Sequence, residues 1–505
     1  MQLTKLLERV TYTLLRGSLD REIEDVLYDS RKAAPGRVFV AIDGFRTDSH
    51  RFLPQVAENG ISAVVVEKDW ETLPQETIEA LEKADVTVLK VENGRAALAE
   101  LSAAFFGYPT EELKVIGITG TKGKTTVSYM LKAILDEAGK KSGLIGTAGA
   151  MIDQRPLPTK NTTPEPYETQ RMARQMREAG CEYLVMEVSS TGLKYHRADA
   201  IPFEIGIFTN LSPDHISPLE HPDFEDYLRC KAALFERCRT GIFNRDDEKL
   251  PEFLSRSCCE ILTYGLGESS YAYPDLSARI LARVREAGAI GTRISAGTPE
   301  KDYFIGLPGI FNVYNALAAI EAARVLGISE EEIASALSKV KVNGRVEQVW
   351  SSGGITVLLD YAHNGSSAKA LLEMLKEYAP RRLTLVFGSV GERAQNRRLE
   401  LGEVCGQMAD LCILTADNPG REPVENIIKD IHKGLDPVGG RAVDIPDRRE
   451  AIRYALKQAE PGDIIAVIGK GHEEYQEIGG EKLPFSDREE ILKAAEELGW
   501  EKDHV

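Results

Sequence analysis

Lys124 and Thr125 follow directly on Gly120-Thr121-Lys122-Gly123. Such a run can hold a chain of phosphates, because a glycine turn leading into a helix points unpartnered N–H groups and the positive end of the helix dipole at an anion. Lys124 is placed to reach the terminal phosphates, and the Thr125 hydroxyl to hold a magnesium ion, with Thr126 beside it in the first turn. The usual spacing puts another glycine at the position of Ile118. The plain alternative is a glycine-rich connection with a solvated lysine.

Other residues could serve the same chemistry. Glu187 stands inside the carboxyl end of the apolar run Tyr183–Val188, ahead of Ser189 and Ser190, where a magnesium ligand would be needed; a solvent-facing strand residue is the alternative. A further strand at Ile205–Thr209 delivers Asn210, Asp214 and His215 to the same edge. Lys231 is the odd one. Phe224, Leu228, Lys231 and Phe235 share one helical stripe, and a buried lysine favours the neutral amine, which can take up carbon dioxide as a metal-binding carbamate. A snorkelling lysine is the plainer reading of the residues alone. Asn312 and Asn315 share a helix face and offer the donor and acceptor an adenine edge requires, though helix-start asparagines also serve as caps.

The elements that position these residues can be read from periodicity. Val115–Thr119 is a short buried strand, and Val127, Met130, Leu131, Ile134 and Leu135 mark one face of the helix that starts at Thr125. Residues 1–110 form a small α/β domain with strands at Val26–Ser30, Val38–Ile42, Ala63–Glu67 and Val86–Val91. Its loops Asp29-Ser30-Arg31 and Gly44 to Asp48 follow strands, where open sheets bind ligands, and Gly107-Tyr108-Pro109 is the linker. A second domain, 111–343, carries the polar loop Asn161-Thr162-Thr163-Pro164 ahead of a helix over Glu165–Ala179, and ends at Val342-Asn343-Gly344-Arg345. The third, 344–505, alternates strands at Thr356–Tyr361, Leu383–Gly388, Cys412–Ala416, Ala442–Ile445 and Ile464–Ile468 with helical segments. That alternation predicts a doubly wound, mainly parallel sheet, and an α/β class for the whole chain. Four of its loops crowd one sheet edge: Asp360 to His363, Gly388 to Arg393, Asp417 to Arg421 and Gly469 to Glu473.

Composition sets the outer limits. A chain of 505 residues suits three domains, and 43% apolar residues suffice for several cores. A net charge of −17 excludes a nucleic-acid or anionic-membrane surface, so an anionic ligand must be held locally. The seven cysteines include no CxxC pair and read as reduced thiols. The start MQLTKLLERV is too charged for a signal peptide and no membrane-length apolar run follows, which predicts a soluble, cytoplasmic, monomeric protein without membrane insertion.

Taken in order, DSR with PGRVFVAIDG, TGTKGKTT, NTTP, EVSS, TNLSPDH, FEDYLRCKAALF, LPGIFNVYNALAA, GRVE, DYAH, DNP and GKGHEEYQ resemble the Mur ligase family along the whole chain, most of all its UDP-N-acetylmuramoyl-tripeptide synthetases, the MurE type. The shifted glycine is that family's own form of the loop. The resemblance implies an ATP- and magnesium-dependent amide ligase of peptidoglycan synthesis, with a UDP-binding first domain, an ATPase second domain and a Rossmann-like third. Such an enzyme phosphorylates the carboxylate of a UDP-muramoyl dipeptide and adds a diamino acid, meso-diaminopimelate or lysine. It further implies that Gly120 to Thr126, Asn312, Asn315, Arg345 and Asp360 bind ATP. Thr125, Glu187, His215 and Lys231, the last as a carbamate, would hold magnesium, with Lys124 also catalytic. Ser30 and Asp48 would meet the uridine nucleotide, and Thr162, Thr163, Ser189 and Arg197 the dipeptide. Arg393, Asp417, Asn418, Arg421, Gly469 and Glu473 would bind the amino acid.

Departures are visible. The family's frequent histidine after EVSS is Thr191, its glutamine is Tyr195, and the arginine of DNPR is Gly420, with Arg421 one place later. Another superfamily ligase, such as a folylpolyglutamate synthetase, or a non-ligating ATP-binding switch or scaffold are the competing readings. The first domain and GKGHE oppose the former, and Lys124, Glu187, His215 and Lys231 together oppose the latter.

Overall fold

The computed structural model describes residues 1–44, 47–214, 216–217, 220–286, 289–342, 344–392 and 395–500. They gather into two compact units, one of residues 1–264, 269–275 and 321–328, the other of residues 265–268, 276–320 and 329 onward.

The first unit contains two sheets. In one, β1 (Thr13–Arg16), β2 (Asp25–Leu27), β3 (Arg37–Val40), β4 (Ala63–Val66) and β5 (Thr87–Lys90) run in the order β1-β5-β4-β3-β2. All pairs are parallel except β1 with β5. The valines of β4 are buried on both faces, as expected of a parallel strand covered on two sides. The four strands expected here form within three residues of their forecast bounds; β1, an edge strand with half its residues exposed, lacks the apolar run that would announce it.

The second sheet positions the glycine loop from Gly120 to Gly123. Its strands are β6 (Lys114–Thr119), β7 (Ser142–Gly146), β8 (Gly149–Ile152), β9 (Arg155–Leu157), β10 (Tyr183–Glu187), β11 (Phe203–Phe208), β12 (Cys238–Asn244) and β13 (Glu260–Leu266), in the order β13-β12-β11-β6-β10-β7-β8-β9. β6 lies between β10 and β11, parallel to both, with Glu187 opposite Ile118 and Phe208 opposite Thr119. The chain therefore leaves β6 through a crevice flanked by the ends of two neighbours, the place where open α/β sheets take ligands. The helix Lys124–Glu137 starts there and buries Val127, Met130, Leu131, Ile134 and Leu135, the stripe read from periodicity.

The second unit carries an antiparallel set, β14 (Asp275–Glu286), β15 (Ala289–Ala296) and β16 (Lys301–Ile305), which the sequence reading did not anticipate. Its main sheet has β17 (Glu347–Ser352), β18 (Ile355–Asp360), β19 (Leu383–Phe387), β20 (Leu411–Leu414), β21 (Ala442–Asp444) and β22 (Ile464–Ile468) in the order β17-β18-β22-β19-β20-β21, parallel apart from β17. All five expected strands are present. A hairpin of β23 (Tyr475–Ile478) and β24 (Glu481–Pro484) follows.

One buried cation ties the ends of two of these strands together. Arg448 is fully buried and makes a two-pronged pair with Asp487, 2.7 Å on each prong. It also donates to the carbonyl oxygens of Ala416 (3.1 Å) and Ile468 (2.9 Å), just past β20 and at the end of β22. Arg448→Met would leave the Asp487 carboxylate buried and unpaired, and is expected to destabilise this unit by about 3–5 kcal/mol in chemical unfolding. Arg448→Met with Asp487→Leu should recover most of that loss, and a single-variant cost under about 1 kcal/mol would mean that water reaches the carboxylate.

Candidate active site

Glu187 is the hub of the first unit's site. Its carboxylate is wholly buried and accepts from the hydroxyls of Thr125 and Thr147, both at 3.0 Å, and from the Thr147 backbone N–H, also at 3.0 Å. A solvent-facing strand residue is thereby ruled out. Room for the carboxylate exists because residue 146 is glycine, where a Cβ would overlap it. Gly146 and Thr147 were not singled out from sequence; only the pairing of β7 with β10 brings them here.

The loop from Gly120 to Gly123 is pinned from the β11 side. Thr121 N–H donates to the Asn210 carbonyl (2.8 Å) and Lys122 N–H to the Asn210 side chain (3.0 Å), while the Thr121 hydroxyl meets Tyr227 (3.0 Å). Lys124 donates to the carbonyls of Gly120 (2.8 Å) and Thr121 (3.1 Å). Gly123 caps the helix that Lys124, Thr125 and Thr126 begin.

Lys231 overturns the plainer sequence reading. It is 1% exposed, so it does not snorkel, and its ammonium donates to the same Gly120 carbonyl at 2.8 Å. Burial, with the like charge of Lys124, holds its pKa well below the ordinary lysine value. A helical stripe could not report this, since it says which face a residue shares and not whether water reaches that face. Thr125 and Glu187 offer hard oxygen donors of the kind magnesium takes. His215 lies outside the described residues.

His221, Asp226 and Cys230 stand close enough to be considered for a metal. Asp226 is already committed, accepting from Lys194 (2.7 Å), Arg229 (2.5 Å) and His221 (2.8 Å), which hold its carboxyl well below the usual range against the cost of burial. His221 also meets Ser190 at 3.0 Å. The cluster is a clasp between the helix Ser190–Lys194 and the helix Phe224–Ala232 that carries Lys231.

The NTTP loop is locked to the same hub. Thr163 donates to the Glu187 carbonyl (3.0 Å) and accepts from the Ser189 N–H (2.9 Å); Thr162 meets Thr147 at 2.9 Å. Arg197 donates to the Thr163 carbonyl (3.2 Å) and pairs with Glu165 (2.6 Å). A cavity of about 280 Å³ adjoins this loop, lined by Asn161, Pro164, Lys160 and Arg171 and, from the first sheet's side, by Tyr28 and Lys32, which bracket Ser30. Asp48 is engaged within its own fold, capping a turn through the His50 N–H and pairing with the His50 ring and Lys68. Against the cost of burial, Lys68 and His50 draw its pKa down to about 2.

In the second unit, Asn312 and Asn315 do share a face, but Asn312 donates to the Pro308 carbonyl (2.7 Å) and accepts from Asn315 (3.1 Å). Asp360 ends β18 and accepts from the N–H groups of Val346 (2.8 Å) and Ala362 (2.7 Å); burial raises its pKa. Arg345 lies over the Tyr361 ring. Asp417, Asn418, Gly469 and Glu473 do gather at one edge, with Asp417 buried and its pKa raised for that reason, and Asn418 donating to Glu473 at 2.8 Å. Gly420 has a positive φ of 62° and is hydrogen-bonded on both sides to the β23–β24 hairpin, while the exposed Arg421 side chain lies against Gly480 in that hairpin's turn. Arg393 lies outside the described residues.

Gly146→Ala tests the hub. The added methyl should displace the Glu187 carboxylate and cut nucleotide-dependent turnover by about 100-fold, the scale of a misplaced reacting group, while circular dichroism stays that of the wild type. Full turnover would show that Glu187 can move without consequence.

Comparison with known proteins agrees with this geometry. Family models described as "Mur ligase family, catalytic domain", "Mur ligase middle domain" and "Mur ligase, glutamate ligase domain" match residues 22–106, 118–323 and 344–471. A UDP-N-acetylmuramoyl-L-alanyl-D-glutamate--2,6-diaminopimelate ligase of Caldanaerobacter subterraneus is 41% identical over 98% of this chain and 100% of its own. A solved structure of a ligase of that same name covers both chains fully, at a TM-score of 0.73 and 26% identity. Folylpolyglutamate synthase of Mycobacterium tuberculosis shares the fold over 74% of this chain and 92% of its own, at a TM-score of 0.57 and 19% identity. With a glycine loop at a sheet crevice, three matching family models and a relative aligned from end to end, the chain belongs to the Mur ligase family of ATP-dependent ligases.

Proposed function

We propose that the chain joins an amine of diaminopimelate to UDP-N-acetylmuramoyl-L-alanyl-D-glutamate at the expense of ATP, in peptidoglycan synthesis. The observation that carries this reading is the meeting of Lys124, Thr125, Glu187 and Lys231 around one loop, in a chain whose full-length relatives carry that activity in their names. An oxygen of the dipeptide carboxylate bonds to the γ-phosphorus as the bond to ADP breaks; the amine then attacks the acyl carbon, phosphate leaves with the bonding electrons, and the amine loses a proton. Phosphoryl transfer asks chiefly for positioning and charge neutralisation. Lys124 and the loop N–H groups would hold the phosphates, and Thr163, Ser189 and Arg197 the dipeptide. Asn312, Asn315, Arg345 and Asp360 would serve the nucleotide. Ser30, Asp48 and the cavity beside Tyr28 and Lys32 fit the uridine nucleotide. We assign residues 1–110, 111–343 and 344–505 to the UDP-substrate, ATP and amino-acid domains. No described helix is long and apolar enough to cross a membrane, and a cytoplasmic location and a monomeric state are part of the same proposal.

Thr125, Glu187, His215 and Lys231 as a carbamate are the residues we assign to magnesium. The ion, when bound, neutralises phosphate charge. What the chain contributes is a buried lysine whose pKa is held well below the ordinary value by desolvation, beside two hard oxygen donors. Phosphate release that depends on both UDP-muramoyl dipeptide and the amine tests the whole reading; ATP turnover without an amide product would overturn it. Lys231→Ala should lose activity by about two orders of magnitude or more and regain part of it with a short exogenous carboxylate, whereas Lys124→Ala should not be rescued. Wild-type turnover by Lys231→Ala would remove the carbamate.

The choice of amine turns on a cation for the second carboxylate of diaminopimelate. Gly420 supplies none, so Arg421 is the candidate, and a pocket built on that contact would leave its arginine unpaired when lysine binds. Arg421→Ala should then cost about 1.5–3 kcal/mol in kcat/KM for diaminopimelate and little for lysine. Equal small losses for both amines would make Arg421 a solvated surface charge and favour lysine.

A further inference from the structure

Lys470 is completely buried, and the reading above gives it no task. It sits in the turn after β22 between two glycines of positive φ. The ammonium donates to Asn418 Oδ1 at 3.0 Å and to Glu473 Oε2 at 3.1 Å, and lies 5.4 Å from the centre of the Tyr475 ring. Asn418 Oδ1 also accepts from the Glu477 N–H at 3.0 Å. With two donors on Oδ1 the orientation of the Asn418 amide is determined, which turns Nδ2 onto Glu473 Oε2 at 2.8 Å. Oε2 is therefore held twice. Oε1 receives no hydrogen bond from a described residue, and the Glu473 side chain is 18% exposed while Lys470 is not exposed at all.

A buried ammonium is costly unless its partners are in place, so this triangle forms as a unit or not at all. We propose that Lys470 is a positioning residue for the amine substrate: without touching the ligand, it fixes the Asn418 amide and the Glu473 carboxylate so that Glu473 Oε1 is presented to an ammonium group. The charged neighbours are Asp417, one loop away, and Arg448, itself committed to Asp487. Lys470 and Arg448 are thus the cations set against two carboxylates, Asp417 and Glu473, that repel each other. The ligand class that fits is an amino acid with a second ammonium group, and the proposal rests on the ligase reading above.

The test is a double-substitution cycle read in steady-state kinetics of the full chain. Lys470→Met should raise KM for diaminopimelate by about 10- to 100-fold, the range found when a supporting partner of a binding group is removed. KM for ATP and for UDP-muramoyl dipeptide should stay within about twofold. In a Glu473→Gln background the same substitution should add almost nothing, because the contact it supports has gone. If Lys470→Met does not accumulate as folded protein, Lys470→Gln, which keeps an N–H donor, carries the same cycle. A penalty that persists undiminished beside Glu473→Gln, or that raises all three KM values together, would make Lys470 a packing residue and overturn the proposal. A wild-type chain that releases no phosphate in response to either diaminopimelate or lysine would instead overturn the ligase reading, before any variant is made.

Discussion

A carboxylate taken wholly out of water has to be compensated by donors aimed at it, and in this protein that requirement organises the first unit. Glu187 ends β10, yet its compensation comes from elsewhere: Thr125 at the start of the phosphate-loop helix and Thr147 just past β7. Thr163 then bonds the backbone of the same residue. Three segments far apart in the chain are thereby set at fixed distances around one negative charge. The arrangement suits an enzyme that must neutralise phosphate charge without rearranging its own groups during the reaction, since preorganised polar groups act at full strength where water is excluded.

The second unit solves a parallel problem with a cation. Arg448 holds the carbonyls that close β20 and β22, and from those ends spring the loops bearing Asp417, Asn418 and Glu473. Carbonyl groups at a sheet's carboxyl edge have no further strand to pair with, and a buried guanidinium with several donors in a fixed plane can serve two of them and a carboxylate at once.

Local patterns reached some of this and not the rest. The loop residues Gly120 to Thr126 and the strand position of Glu187 were legible because turn chemistry and strand period are short-range properties, and the parallel strands of the second unit followed from their alternation with helices. Lys231 shows the limit: its stripe was visible, but burial depends on Gly120, more than a hundred residues earlier. Thr147 and Arg448 with Asp487 left no mark in the sequence, since each acquires its role from a partner distant in the chain. Asp48 was legible in a loop that could be an ordinary turn, and it does cap one, whereas Asp360 was legible as an unusual polar residue at a strand end but not as the group that holds two backbone N–H donors there.

The placement of β6 has a consequence for how the site comes into being. Both neighbours of β6 are supplied late, Lys114 pairing with Tyr183 and Val115 with Phe203. A nascent chain that has just emitted its glycine loop therefore has no walls to hold it, and closing spans of that length is entropically slow. The crevice arises only when β10 and β11 have been made and docked on either side. The buried glutamate, its threonine partners and the loop are thus joined into one site only by pairings between strands distant in sequence.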